Sequence, residues 1–163
     1  MKKLIGLFAL LLVVIGCENS NNKELSEQFD KLNRQHDSIS KVHSDFKNNH
    51  DEMRMKYQEV NERLGSANIQ DSTVFDEVAR HSTILEQHDA IIKSHDQIIE
   101  DHQEMKANFN GKSDSEKKTQ IDEMIKTHTK LMDEHSSMEE DHKEMEKEHE
   151  TIIEKLNSSN TSS

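Results

Sequence analysis

Residues 81–102 read HSTILEQHDAIIKSHDQIIEDH. Histidine returns at every seventh position here, at His81, His88, His95 and His102. The apolar pairs Ile84-Leu85, Ile91-Ile92 and Ile98-Ile99 fall between them. A seven-residue return is the repeat of helices packed side by side, whereas a strand would alternate with a period of two. The repeat continues in both directions along the chain. Before it, Leu25, Leu32, Ile39, Phe46, Met53 and Val60 recur every seven residues; after it come Met124, Leu131, Met138, Met145 and Ile152. These are read as the d positions of a heptad. In the middle segment Ile84, Ile91, Ile98 and Met105 take that role, thickened by Val78, Leu85, Ile92 and Ile99.

Two polar breaks divide the pattern, Gly65-Ser66-Ala67-Asn68 and Asn110-Gly111-Lys112-Ser113-Asp114. Glycine after a periodic run is a common helix stop. Asp71 or Ser72 is placed to cap the next helix, and Ser113 with Glu116 has capping-box spacing. The chain has no proline. The pattern therefore predicts helices over about 21–64, 72–109 and 114–157, each about 55–65 Å long at ~1.5 Å per residue. Short connections make neighbours antiparallel. The predicted fold is all-α, a long antiparallel three-helix bundle or coiled coil with heptad-spaced core histidines. It forms one domain over 23–157, followed by a disordered polar tail, 158–163.

All eleven histidines obey the spacing. The first segment carries His36, His43 and His50; the second His81, His88, His95 and His102; the third His128, His135, His142 and His149. Each lies three residues before a d position, which puts all of them at a, on the inward face. The other a positions are apolar or aromatic: Phe29, Tyr57, Leu64, Val74, Phe109, Ile121 and Leu156. Folding the chain at its two breaks sets Leu64 by Val74 and Leu156, and Phe29 by Phe109 and Ile121. Between these ends the a residues fall into layers: Tyr57/His81/His149, His50/His88/His142, His43/His95/His135 and His36/His102/His128. Layers are about 10.5 Å apart. A half-heptad stagger, setting histidines against Ile and Met, is the alternative register.

A buried imidazole without a partner costs about 1–3 kcal/mol, against a total stability of about 5–15 kcal/mol. The histidines must therefore be hydrated, bonded to one another, or bound to something. Three imidazoles converging on an axis make an open zinc site, and copper also favours imidazole. All eleven histidines are thus candidate metal ligands. Asp37, Asp51, Asp89, Asp96, Asp101, Glu134, Asp141 and Glu148 are candidate outer partners that orient the rings. A His-x-x-Met spacing recurs at His50/Met53, His102/Met105, His135/Met138 and His142/Met145. Imidazole with thioether suits a soft ion such as Cu(I), so Met53, Met105, Met138 and Met145 are possible soft-metal co-ligands, with plain core the blander assignment. Histidines seven apart on one helix cannot share an ion, so any site must lie between helices.

The N-terminus has its own logic. Met1-Lys2-Lys3 precedes an apolar run from Leu4 to Ile15, then Gly16-Cys17. This is the plan of an export signal, and the run is too short for the ~20 residues of a bilayer span. Val14-Ile15-Gly16-Cys17 resembles the lipobox of bacterial lipoproteins. The resemblance implies a signal peptide over 1–16, cleavage before Cys17, acylation of its thiol (palmitate) and a lipidated tether over 17–22. It implies attachment to a membrane of the cell envelope, facing the periplasm; with Glu18 after the cysteine, the outer membrane is favoured in a Gram-negative host. Cys17 is the only cysteine, which leaves no thiol for disulfide, redox or thiolate-metal chemistry.

The formal net charge is −12, and loss of Lys2 and Lys3 with the signal would make it −14. Such a chain does not seek nucleic acid, which demands basic contacts. The expected function is binding of transition-metal ions, Zn or Cu, for sequestration or buffering. The alternative is a structural or interaction lipoprotein with a polar histidine core, responsive to pH because histidine titrates near neutrality. No nucleophile motif, phosphate loop or organic cofactor motif is present. No catalytic residue is assigned, and a zinc hydrolase is the weakest reading. Expected partners are the membrane, metal ions, and either a second copy of the chain or another envelope protein.

Overall fold

The computed structural model describes residues 21–67 and 72–160. Three helices account for nearly all of them: α1 (Asn21–Ser66), α2 (Ser72–Asn108) and α3 (Asp114–Asn160). A 3-10 turn, Phe109–Gly111, follows α2. All three helices pack on one another, α2 running against α1 and α3. The expected three-helix bundle is the observed fold. Residues 1–20, with the signal, Cys17 and Glu18, lie outside the described residues, as do Asp71 and 161–163.

The helix ends show what sets the breaks. Glu116 reaches back to the Ser113 backbone N–H at 2.8 Å, and the Glu116 N–H donates to Ser113 Oγ at 3.4 Å. This is the reciprocal capping box that the spacing predicts. The glycines mark the breaks without a left-handed backbone at either position. Gly65 lies in the last turn of α1, and the chain turns as Ala67 N–H donates to Leu64 O at 3.2 Å. Lys112 N–H closes the 3-10 turn on Phe109 O at 3.2 Å. At the far end α3 runs to Asn160, three residues into the stretch expected to be disordered, since nothing between Asn157 and Asn160 breaks a helix.

The bundle core alternates histidine layers with apolar layers. Met53, Leu85 and Met145 pack as one apolar cluster; Phe46, Ile92 and Met138 form another. At one end Val60, Leu64, Val74, Val78, Ile152 and Leu156 close the stack, and at the other Phe29, Leu32, Phe109, Ile121 and Met124 do so. These end clusters contain the terminal contacts that the in-register folding requires, and the half-heptad stagger is not adopted.

One sequence expectation needs correction. In α2 the deeply buried stripe is Val78, Leu85 and Ile92, whereas Ile84, Ile91 and Ile98 are only half-buried. The cause is chain direction. In α1 and α3 the apolar residue lies three positions after its histidine. The antiparallel α2 must supply its apolar residue three positions before, so Leu85 precedes His88 and Ile92 precedes His95. Met105, half-buried, packs against the Phe29 end cluster, where the position three before Phe109 is the charged Lys106.

This assignment predicts unequal costs for adjacent residues. Leu85→Ala removes a side chain that is 2% exposed and should cost about 2–5 kcal/mol. Ile84→Ala should cost less than half as much. Urea midpoints of the two variants measure the difference; equal losses would place the stripe differently.

Candidate metal centres

All eleven histidines are buried, with exposures from 0% to 7%. The layers form as the heptad register predicts. In the His43/His95/His135 layer, His135 Nε2 lies 2.9 Å from His43 Nδ1 and 3.2 Å from His95 Nδ1. In the His50/His88/His142 layer, His142 Nε2 lies 3.1 Å from His50 Nδ1 and 3.2 Å from His88 Nδ1. In the His36/His102/His128 layer the Nδ1 atoms of His36 and His102 are 3.2 Å apart. In each of these three triads one nitrogen per ring falls within 4.8 Å of the other two. The fourth layer has only two histidines, with His81 Nδ1 3.0 Å from His149 Nε2. Its third member, Tyr57, packs against the neighbouring apolar clusters.

The outer nitrogens show which way the lone pairs point. His43 Nε2–H donates to Asp96 at 3.0 Å, and His95 Nε2–H to Glu134 at 2.8 Å. In the next layer His50 donates to Asp89 at 3.0 Å and His88 to Asp141 at 3.1 Å. In the fourth layer His81 donates to Glu148. A carboxylate accepts only, so it holds the ring proton on Nε2 and turns the Nδ1 lone pair inward. Two inward lone pairs per central layer then face a single Nε2 from α3. Its one proton can satisfy only one of them. A metal ion in that place would satisfy all three nitrogens at once. Zinc at ~2.0–2.1 Å from each nitrogen in tetrahedral geometry needs N···N separations of about 3.4 Å; the α3 Nε2 lies 2.9–3.2 Å from both Nδ1 atoms in each central layer, and all three nitrogens fall within 4.8 Å.

Of the acidic residues expected as outer partners, Asp89, Asp96, Glu134, Asp141 and Glu148 take that role. Asp37 and Asp101 act on His36 and His102 only through their charge, and Asp101 accepts instead from Gln97 at 2.9 Å. Asp51 is exposed on α1. Met53, Met138 and Met145 sit in the apolar layers beside aliphatic or aromatic side chains, and Met105 joins the end cluster. These placements are those of core residues.

Three features escaped the sequence reading. Lys47 donates to Asp96 at 2.8 Å and Arg54 to Asp89; these cations help hold the carboxylates in place. Burial pushes the Asp89 and Asp96 carboxyls upward, but Arg54, Lys47 and the adjacent histidines outweigh it and hold both below the usual range. Thr127 takes the carboxylate's place at His102, with Nε2 and Oγ1 2.8 Å apart. Its register was readable, seven residues before Glu134. Lys117 is buried at 4% exposure, donates to Asn22 Oδ1 at 3.0 Å and lies over Phe109, which stacks on Phe29 at 3.6 Å. No heptad argument marks a lysine for that place.

Burial sets the electrostatics. It pushes His135 and His142 down to about 3, helped by the neighbouring imidazoles of the same layer. His102, His128 and His149 fall to about 4 for the same reason. His36, His88 and His95 are also lowered, chiefly by burial. These eight lowered rings are thus neutral near pH 7, the form that ligates metal.

No protein-family model, curated protein or solved structure matches the chain. Among the described residues no helix is long and apolar enough to cross a membrane.

The lowered histidines make stability depend on pH. The unfolded chain takes up protons below about pH 6.5, while the folded state resists them down to about pH 4. Stability is therefore full above about pH 6.5 and lost as pH falls, at about 1.4 kcal/mol per pH unit per histidine. Five such groups outrun a stability of about 5–15 kcal/mol within one or two units. The melting temperature should fall steadily below about pH 6.5, with helical circular dichroism lost by about pH 5. Unchanged melting over that range would contradict the burial of the rings.

Proposed function

We propose that this chain is an envelope-anchored lipoprotein that binds transition-metal ions, Zn or Cu, through its inter-helix histidine layers, for sequestration or buffering. The observation that carries the reading is the convergence of three buried triads, each with three ring nitrogens within 4.8 Å of one another. The carboxylate partners at the two central triads support it, since they leave ligand lone pairs directed at the axis. Binding rather than catalysis is favoured because the rings are sealed inside a slender bundle, away from any substrate. The lipid on Cys17 would hold the protein to the envelope, at the outer membrane in a Gram-negative host.

A second reading rests on the His–His contacts of 2.9–3.2 Å. The single α3 Nε2 proton completes one such contact per layer as a hydrogen bond, and a polar spine of this kind would fix helix register without metal. Against it, His128 has neither ring nitrogen bonded.

Titration of the full chain in detergent separates the two. Metal binding predicts more than about one Zn(II), Cu(II) or Cu(I) per chain at micromolar concentration. It also predicts a melting temperature that drops on chelation, because each site filled at a hundredfold over its Kd adds about 2.7 kcal/mol. Stability indifferent to metal and chelator, with less than one ion bound, would leave the structural spine.

A further inference from the structure

The three triads differ in what stands behind their rings. In the two central layers each of two histidines hands its outer proton to a carboxylate: Asp96 and Glu134 in one, Asp89 and Asp141 in the other. The α3 partners come from the position just before the α3 histidine, the α2 partners from the position just after the α2 histidine. At the His36/His102/His128 layer those two positions hold Thr127 and Gln103. Thr127 hydroxyl donates to the Glu123 or Met124 carbonyl at 2.9 or 3.1 Å, so its oxygen accepts from His102 Nε2–H. Gln103 is exposed, and His36 Nε2 has only a 3.5 Å contact with Ser40. His128 has neither ring nitrogen bonded.

A divalent ion brings two charges into a buried site of neutral imidazoles. A carboxylate on the outer nitrogen pushes electron density onto the ligating nitrogen and offsets that charge through the ring. Lys47 and Arg54 compensate one of the two carboxylates in each central layer; among the described residues the second, Asp141, has no Lys or Arg ion pair in the His50 layer, and Glu134 is matched only by Lys130 at 3.8 Å in the His43 layer. The Thr127 layer turns a lone pair inward at His102 but brings no carboxylate hydrogen bond to either ring.

We infer that the triads form two classes: His43/His95/His135 and His50/His88/His142 are the divalent-ion sites, and His36/His102/His128 is a low-charge site that fills last with divalent ions and suits monovalent Cu(I). The inference rests on the metal-binding reading above and assigns an ion class to each of its sites.

The test is competitive titration of the full chain in detergent with Zn(II), and separately with Cu(I) under reducing conditions. Two Zn(II) ions should bind at least tenfold more tightly than a third, while the third Cu(I) should bind within tenfold of the first two. His128→Leu should leave two tight Zn(II) sites, and His135→Leu should leave one, each checked for retained helicity. The double variant Asp96→Asn with Glu134→Gln keeps every ligand and should weaken one tight site by tenfold to a hundredfold. If both leucine variants fail to fold, that double variant decides. Three Zn(II) sites of equal affinity, or tight sites untouched by the carboxylate variant, would overturn the two classes while leaving metal binding in place. Absence of stoichiometric binding of either ion would overturn both.

Discussion

The constraint on which the rest depends is that an imidazole carries two nitrogens and one proton. Once the ring is buried, both nitrogens need a partner, and the neutral ring can donate to only one. Eleven such rings inside one bundle cannot be treated as core filling. In the central layers the bundle resolves the outer nitrogens of the α1 and α2 rings by meeting them with carboxylates at the helix seams. The inner nitrogens are then left with more lone pairs than protons. That surplus places buried ring nitrogens where a metal ion could be held.

The apolar layers make this arrangement tolerable. Between the two central histidine layers lies Phe46, with its ring stacked on His142 at 5.1 Å. Met53, Leu85 and Met145 then separate the central stack from the Tyr57 layer. Burial of these side chains supplies the hydrophobic drive that the histidines cost. The apolar layers also insulate each polar layer from the next, so each must satisfy its own nitrogens. The stacked Phe29 and Phe109, with the Lys117 ammonium over the Phe109 ring, seal one end in the same way.

Much of this was legible along the chain because a heptad is a local statement. The spacing of His36, His43 and His50 places them on one helix face whatever the partner. The matched apolar ends, Leu64 with Val74 and Phe29 with Ile121, then select the register. What the spacing misjudged was the direction-dependent part. The Ile84, Ile91 and Ile98 stripe looked equivalent to Met124 and Leu131, but a helix running the other way meets its layer with the residue on the opposite side of the histidine. Likewise Asp37, Asp51 and Asp101 look no different from Asp89 and Asp96 in sequence. Only the seam between two helices decides which carboxylate can reach a neighbour's ring.

The sequence by itself determined that the described chain forms three helices, where the two breaks fall, and that eleven histidines share the inward face, because helical periodicity and capping act within a few residues. The tertiary structure alone decided how closely the rings of a layer approach, to about 3 Å between nitrogens, and which outer nitrogen meets an acid. It also decided that the layer beside Thr127 has no carboxylate hydrogen-bonded to its rings. Those outcomes depend on distances between residues as far as 92 positions apart, which only the packing of α1, α2 and α3 around a common axis can set.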